Sequence, residues 1–228
     1  MRSSTDHFAG SWATWVRQML RDFRRNFREI KISALPHMPP LAQQAFENQV
    51  RTAKIYLEYG SGGSSVLASA FADQVVSVDS DRFFLRAVAH RIKGSRASFV
   101  PYYVDIGYTG PWGVPVTTAI TPRSLKRWKR YPASAWRYFD SLNTEPDLIF
   151  VDGRFRVACV LESLMHLRPN SDTTIMLDDY GDRPYYNVIE EFVRDLTYYD
   201  RLVCFKKRKE FDRERCQTLL ENYYSDWR

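Results

Sequence analysis

The sequence predicts an α/β fold: a three-layer sandwich around a mostly parallel sheet, with a helical appendage at the N-terminus. Three observations carry this. Residues Ile55 to Ser65 run from a short apolar stretch through a glycine-rich bend into a helix-forming pattern, the strand–turn–helix opening of a βαβ unit. Short apolar runs then alternate with helical patterns down the chain. Four of these runs end in an aspartate, at Asp79, Asp105, Asp152 and Asp178, as expected where parallel strands deliver polar groups to one edge of a sheet.

Taken in order, Trp12, Trp15, Val16, Met19, Leu20, Phe23, Phe27 and Ile30 recur at helical spacing, with Arg17, Arg21, Arg24, Arg25 and Arg28 mostly on the other flanks. Pro36, Pro39 and Pro40 break that pattern. We therefore divide the chain into an amphipathic helix and linker over 1–40 and a main domain over 41–228. A helix from about Leu41 to Thr52 leads to the first strand, and Val75–Val78 forms the second. Asp81 caps a helix running to about Lys93, with Gly94 as its stop. Ser98–Val104 is the third strand. From 106 to 140 periodicity fails among Gly107, Gly110, Pro111, Gly113, Pro115 and Pro122, which marks an insertion near the ligand edge. Its Trp112 and basic run are candidate substrate contacts, or its aromatics pack on the core. Asp147–Val151 is the fourth strand, Val157–Leu167 a helix, and Thr173–Leu177 the fifth strand. Asp182 caps a helix with Pro184 in its first turn that runs to about Thr197. Leu202–Phe205 is a sixth strand, and the remainder from about Asp212 is helical.

The net charge of +6 is uneven. Met1 to Lys31 carries six Arg and one Lys against three acids, and Arg123, Lys126, Arg127, Lys129, Arg130 and Arg137 crowd a second stretch. Nucleic acid or an anionic membrane surface is the partner such patches would take, and a solvated basic face explains them equally well. The N-terminal helix packs on its own domain or forms a homodimer. No apolar run is long enough to span a bilayer, the N-terminus lacks signal-peptide character, and Cys159, Cys204 and Cys216 have no metal spacing. These features lead us to expect a cytoplasmic protein with reduced thiols.

Gly60, Gly62 and Gly63 allow a tight bend without a Cβ between backbone and ligand. Asp79 lies beside that bend at the end of the next strand, where an acid takes ribose hydroxyls. A turn with no ligand is the plain alternative. A nicotinamide dinucleotide would need a third glycine where Ser65 stands, and its phosphates would meet the carboxylate of Glu58. Glu58 suits a ligand with positive charge. Here the sequence resembles the class I S-adenosylmethionine-dependent methyltransferases, whose first motif, Glu-x-Gly-x-Gly, is matched by Glu58, Gly60 and Gly62. The resemblance implies a Rossmann-like sheet with core order 3-2-1-4-5 and S-adenosylmethionine as cofactor. It also implies a cofactor site of Glu58, Gly60, Ser61, Gly62, Ser65, Asp79, Ser80 and Asp105, where Asp105 is alternatively a turn residue. A seventh, antiparallel strand is usual in that family and is not visible in this sequence.

Asp152, Asp178 and Asp179 should converge at the same edge. Three carboxylates raise one another's pKa unless a cation joins them. Their oxygens suit Mg²⁺ or Mn²⁺, which would activate a substrate hydroxyl, or one Asp acts directly as a base. The resemblance extends here to metal-dependent small-molecule and sugar O-methyltransferases of the catechol, macrocin and aminocoumarin types. These place an acid after the fourth strand and an Asp pair after the fifth. The chain departs from that pattern with Arg154 and Arg156, which either neutralise the acids or grip an anionic substrate. The function expected is O-methylation of a small-molecule or saccharide hydroxyl, with Asp152, Asp178, Asp179 and Arg154 as catalytic residues. The alternatives are a non-catalytic binding protein that retains the fold, or an NAD-dependent enzyme.

Overall fold

The computed structural model describes residues 30–117 and 119–228. The amphipathic helix expected before Ile30 lies outside them. Residues Ile32–Arg228 form one compact unit, to which the following refers.

Helix α1 (Pro40–Val50) leads into β1 (Ile55–Tyr59), followed by α2 (Gly63–Ser69), β2 (Gln74–Asp79), α3 (Arg82–Arg91) and β3 (Ser98–Tyr103). After the insertion come β4 (Leu148–Val151), α7 (Arg156–His166) and β5 (Thr174–Leu177). With β6 at Val193–Tyr199 and β7 at Leu202–Lys207, the strand order is β3-β2-β1-β4-β5-β7-β6, so the core order 3-2-1-4-5 is as expected. The first five strands pair in parallel, and β7 joins β5 antiparallel.

The strands alternate strictly with period two, so each face of the sheet has its own core. Tyr56, Val75, Leu148, Phe150 and Met176 pack beneath α1 and α2, with Phe46 of α1 lying 4.8 Å from the Phe150 ring. Leu57, Val76, Val78, Ile149, Val151, Ile175 and Leu177 face α7 and the other helices. Helix α1 buries Ala42, Ala45, Phe46 and Val50 on one face at steps of three and four, whereas α7 is buried at every residue from Arg156 to Met165, as a helix packed on all sides is.

Two expectations need correction. The insertion is not irregular throughout. It folds into a 3₁₀ turn at Pro111–Gly113 and three short helices, α4 (Pro122–Trp128), α5 (Arg130–Ala133) and α6 (Trp136–Leu142). Each is too short to show a period, and Trp128, Tyr131, Trp136 and Phe139 are buried in the core beside α7. Trp112 stands out at 89% exposed, and Tyr108 is exposed as well.

The second concerns 184–199. The expected helix is a 3₁₀ segment, Pro184–Phe192, followed by β6 (Val193–Tyr199). β6 pairs with β7 (Leu202–Lys207), and α8 (Arg213–Tyr223) follows. A register shift between Arg194 and Thr197, with Asp195 at φ 59°, interrupts the alternation that would have marked the strand. This is the seventh strand that the sequence hides.

Candidate functional site

β1 and β2 are in register as Glu58↔Ser77 and Tyr59↔Val78, so their ends form one corner. Glu58 points to the α2 side and is fully buried. One oxygen accepts hydrogen bonds from Tyr56 Oη (3.0 Å) and Ser64 Oγ (2.7 Å), the other from Ser77 Oγ (2.6 Å) and Ser65 Oγ. Four hydroxyls thus use the four lone-pair directions of the carboxylate. Burial raises its pKa to about 7, against the pull of those donors. Glu58 is therefore the hub that ties α2 to the turn, with no oxygen left open. The structure does not present it as a surface for a charged ligand. Ser65 is likewise buried: it bonds Glu58 and receives the Gly62 N–H at 3.0 Å.

Asp79 is arranged differently. Half-buried, it accepts the Ser61 N–H on one oxygen (2.9 Å) and the Asp81 N–H on the other (2.8 Å). The Ser61 side chain adds a further stabilising contact, and the rest of the carboxylate is held by no other residue's hydrogen bond among the described residues. Burial again dominates and pushes its pKa up to about 6. Ser61 Oγ meets Ser77 Oγ at 2.7 Å, which links Asp79 to the Glu58 hub.

The glycines divide by role. Gly60 has φ 100°, and a Cβ there would lie 2.7 Å from Gly153 N. The turns after β1 and β4 thus touch backbone to backbone, which only glycine permits at both positions. A Cβ on Gly63 would run into the Leu35–Pro36 backbone. A Cβ on Gly62 would meet nothing within 4 Å. Gly62 and Asp79 therefore border the open part of the corner.

Ser80 follows Asp79 and is nearly buried. Its Oγ would lie 3.2 Å from a Cβ on Gly113, so the 3₁₀ turn of the insertion overhangs the corner. Asp105 is exposed. It accepts the Gly107 N–H at 2.9 Å and lies 3.5 Å from Arg127 Nη2, so it shapes its own turn and tethers the insertion.

At the other side of the same edge, Asp152, Asp178 and Asp179 offer oxygens all within 4.8 Å of one another. The donor type suits Mg²⁺ or Mn²⁺. Arginines fill the position instead. Arg156, 4% exposed, bonds Asp152 Oδ1 and Asp179 Oδ2 at 2.8 Å each and donates to the Asp178 carbonyl at 2.7 Å. Arg201 holds both oxygens of Asp178 (3.0 and 3.1 Å), and Arg183 bonds Asp179 at 2.7 Å. A dication would have to displace guanidinium groups from all three acids, so the residues present do not fit a metal. Burial still raises the pKa of Asp152 to about 6, and Asp178 is raised by burial and by Asp179. Asp152 has the most accessible side chain of the three, at 37% against 16% and 1%.

The sequence reading named Arg156 but missed Arg183 and Arg201. Arg201 sits in the β6–β7 turn and reaches this edge because β7 runs antiparallel. The unread strand is why no sequence signal pointed to it. Ser64, Ser77 and Gly153 were also missed. Ser77 could have been found, as the only polar residue within the Val75–Val78 run.

No protein-family model matches the chain, and no curated protein does. Among solved structures, a methyltransferase-like protein (spo2022) from Silicibacter pomeroyi DSS-3 is 31% identical, with a TM-score of 0.71 over 85% of this chain and 100% of its own. A hypothetical protein of Thermus thermophilus, TTHA0928, is 12% identical over 78% of this chain and 92% of its own. Its TM-score of 0.45 carries no argument.

Proposed function

The chain belongs to the methyltransferase-like proteins, and on that premise we propose that it is an S-adenosylmethionine-dependent O-methyltransferase. The acceptor is a small-molecule or saccharide hydroxyl, as in the macrocin type of enzyme. The observation that carries the reading is the open corner at Gly62 beside Asp79, a half-buried carboxylate held only by Ser61 and the Asp81 N–H. Two ribose hydroxyls donating there would offset the burial that lifts the Asp79 pKa.

Held by Asp79 and the Ser61–Gly62 turn, the cofactor would supply an electrophilic methyl group for transfer to the acceptor oxygen. The protein's part is positioning and proton removal. Asp79 and the Ser61–Gly62 turn hold the nucleoside. Asp152, anchored through Oδ1 by Arg156 and the most accessible acid of its cluster, takes the acceptor hydroxyl proton. Arg156, Arg183 and Arg201 fix the cluster without a metal, so no step is assigned to one.

Calorimetry with S-adenosylhomocysteine tests the reading. The wild-type protein should bind it. Asp79→Ala should weaken binding by about tenfold or more, since charge-assisted hydrogen bonds are worth roughly 1.5–3 kcal/mol each. Gly62→Val should fold normally and bind still less. Equal affinity in all three proteins would remove this corner from the cofactor site.

A further inference from the structure

Every guanidinium of the acid cluster is matched. Asp152, Asp178 and Asp179 face Arg156, Arg183 and Arg201, and the three charges of each sign cancel. Arg154 is left over. It follows Asp152-Gly153 at the end of β4, and no carboxylate pairs with it among the described residues. Its Nε is buried with no hydrogen-bond partner. Burial lowers its pKa, and the neighbouring Arg156 lowers it further. A partly buried cation with an unmet donor and cations beside it is the arrangement that an incoming anion relieves.

The position of the side chain says where that anion would come from. A Cβ on Gly113 would lie 3.7 Å from Arg154 Cγ and 3.2 Å from Ser80 Oγ. Arg154 therefore runs under the overhanging turn of the insertion, which also covers Ser80 at the end of β2, with Tyr131, Tyr186 and Arg156 as its charged or polar surroundings. The same turn overhangs the corner that, on the reading above, takes the methyl donor.

We propose that Arg154 anchors an oxyanion subsite, taking a carboxylate or phosphate of the ligands that fill this cleft. The inference rests on the methyltransferase reading and narrows it. If the acceptor supplies the oxyanion, the substrates are hydroxy acids or phosphorylated hydroxy compounds, oriented by Arg154 with a hydroxyl towards Asp152. The other source is the amino-acid carboxylate of the methyl donor.

The Nε–Hε resonance of Arg154, assigned by its loss in Arg154→Lys and again in Arg154→Gln, reports directly on the subsite in the full-length protein. Inorganic phosphate and acetate should shift it, and Arg154→Gln should lose at least about tenfold in affinity for the anion, the worth of a charge-assisted bond. A phosphate shift that persists when S-adenosylhomocysteine is saturating assigns the subsite to the acceptor. A shift caused by S-adenosylhomocysteine itself, absent with methylthioadenosine and blocking phosphate, assigns it to the donor. A resonance unmoved by every one of these ligands overturns the proposal. Should neither nucleoside bind at all, the methyl-donor reading fails, while the phosphate titration still decides the subsite.

Discussion

After β1 and β2, Glu58 and Asp79 are held by neutral donors: four hydroxyls on the first and two backbone N–H groups on the second. After β4 and β5, Asp152, Asp178 and Asp179 are held by three guanidinium groups. Both corners gather acids at one edge of one sheet, yet they solve the problem of buried charge by opposite means. Neutral donors leave the negative charge of the first corner in place and leave Gly62 facing open space. Guanidinium groups cancel the charge of the second and fill the volume a cation would take. The first corner keeps open space beside Gly62. The second is complete in itself, apart from Arg154 at its border.

The largest effect should come from removing the cation that joins the second corner. Arg156 is 4% exposed and binds two carboxylates and three carbonyls. Arg156→Met takes the paired guanidinium from Asp152 and leaves Asp179 with Arg183 and Arg201; removal of one member of a buried pair costs about 3–5 kcal/mol, and the exposure of Asp152 puts this case at the lower end. Urea unfolding at neutral pH should show a loss of that order, with part recovered at acid pH as the freed carboxylates protonate. A stability unchanged by this substitution would mean that the arginines are incidental and the two corners are not built differently.

A smaller effect separates the corners by pH. The Glu58 pKa is raised from 4.5 to about 7 by burial. The folded protein therefore keeps a proton that the unfolded chain has lost between those values. Stability from this group is fully present below pH 4.5 and falls as pH rises through about 7, by roughly 3 kcal/mol at most. Asp79 and Asp152, both raised to about 6, act in the same direction over a lower window. Glu58→Gln should flatten the wild-type curve chiefly between about pH 5 and 7, measured as the difference in unfolding free energy across that range. A difference that stays constant with pH would show that the four hydroxyls suffice to hold the ion.

The contrast also explains what could be read in the sequence. The first corner is local: Glu58, Gly60, Ser61, Gly62 and Ser65 lie within eight residues, and Asp79 ends the next strand. A strand–turn–helix pattern therefore placed them together, although it could not show that Glu58 faces inward to Ser64 and Ser77. The parallel order likewise brought Asp152 to Asp178 and Asp179. Their counter-charges come from further away in topology. Arg201 depends on an antiparallel hairpin whose first strand is broken at Asp195, and Arg183 precedes a 3₁₀ segment whose pattern imitated a helix. Missing β6 meant missing the arginines, and so three acids resembled a metal site.

The smallest expected effect is none at all, and it tests the second corner most directly. With guanidinium groups on all three acids, millimolar Mg²⁺ or Mn²⁺ should leave Tm unchanged, because only an ion that binds the folded state stabilises it; at a hundredfold excess over Kd the gain would be about 2.7 kcal/mol. Methyl transfer, once an acceptor is found, should likewise survive EDTA. It should still depend on pH, because Asp152 must be ionised to accept a proton: turnover falls as pH drops through about 6, and Asp152→Asn is slow at every pH and every metal concentration. A Tm raised by Mg²⁺ together with turnover abolished by EDTA would show that Arg156, Arg183 and Arg201 yield to a dication. The second corner would then hold its acids for a metal rather than complete them with arginine.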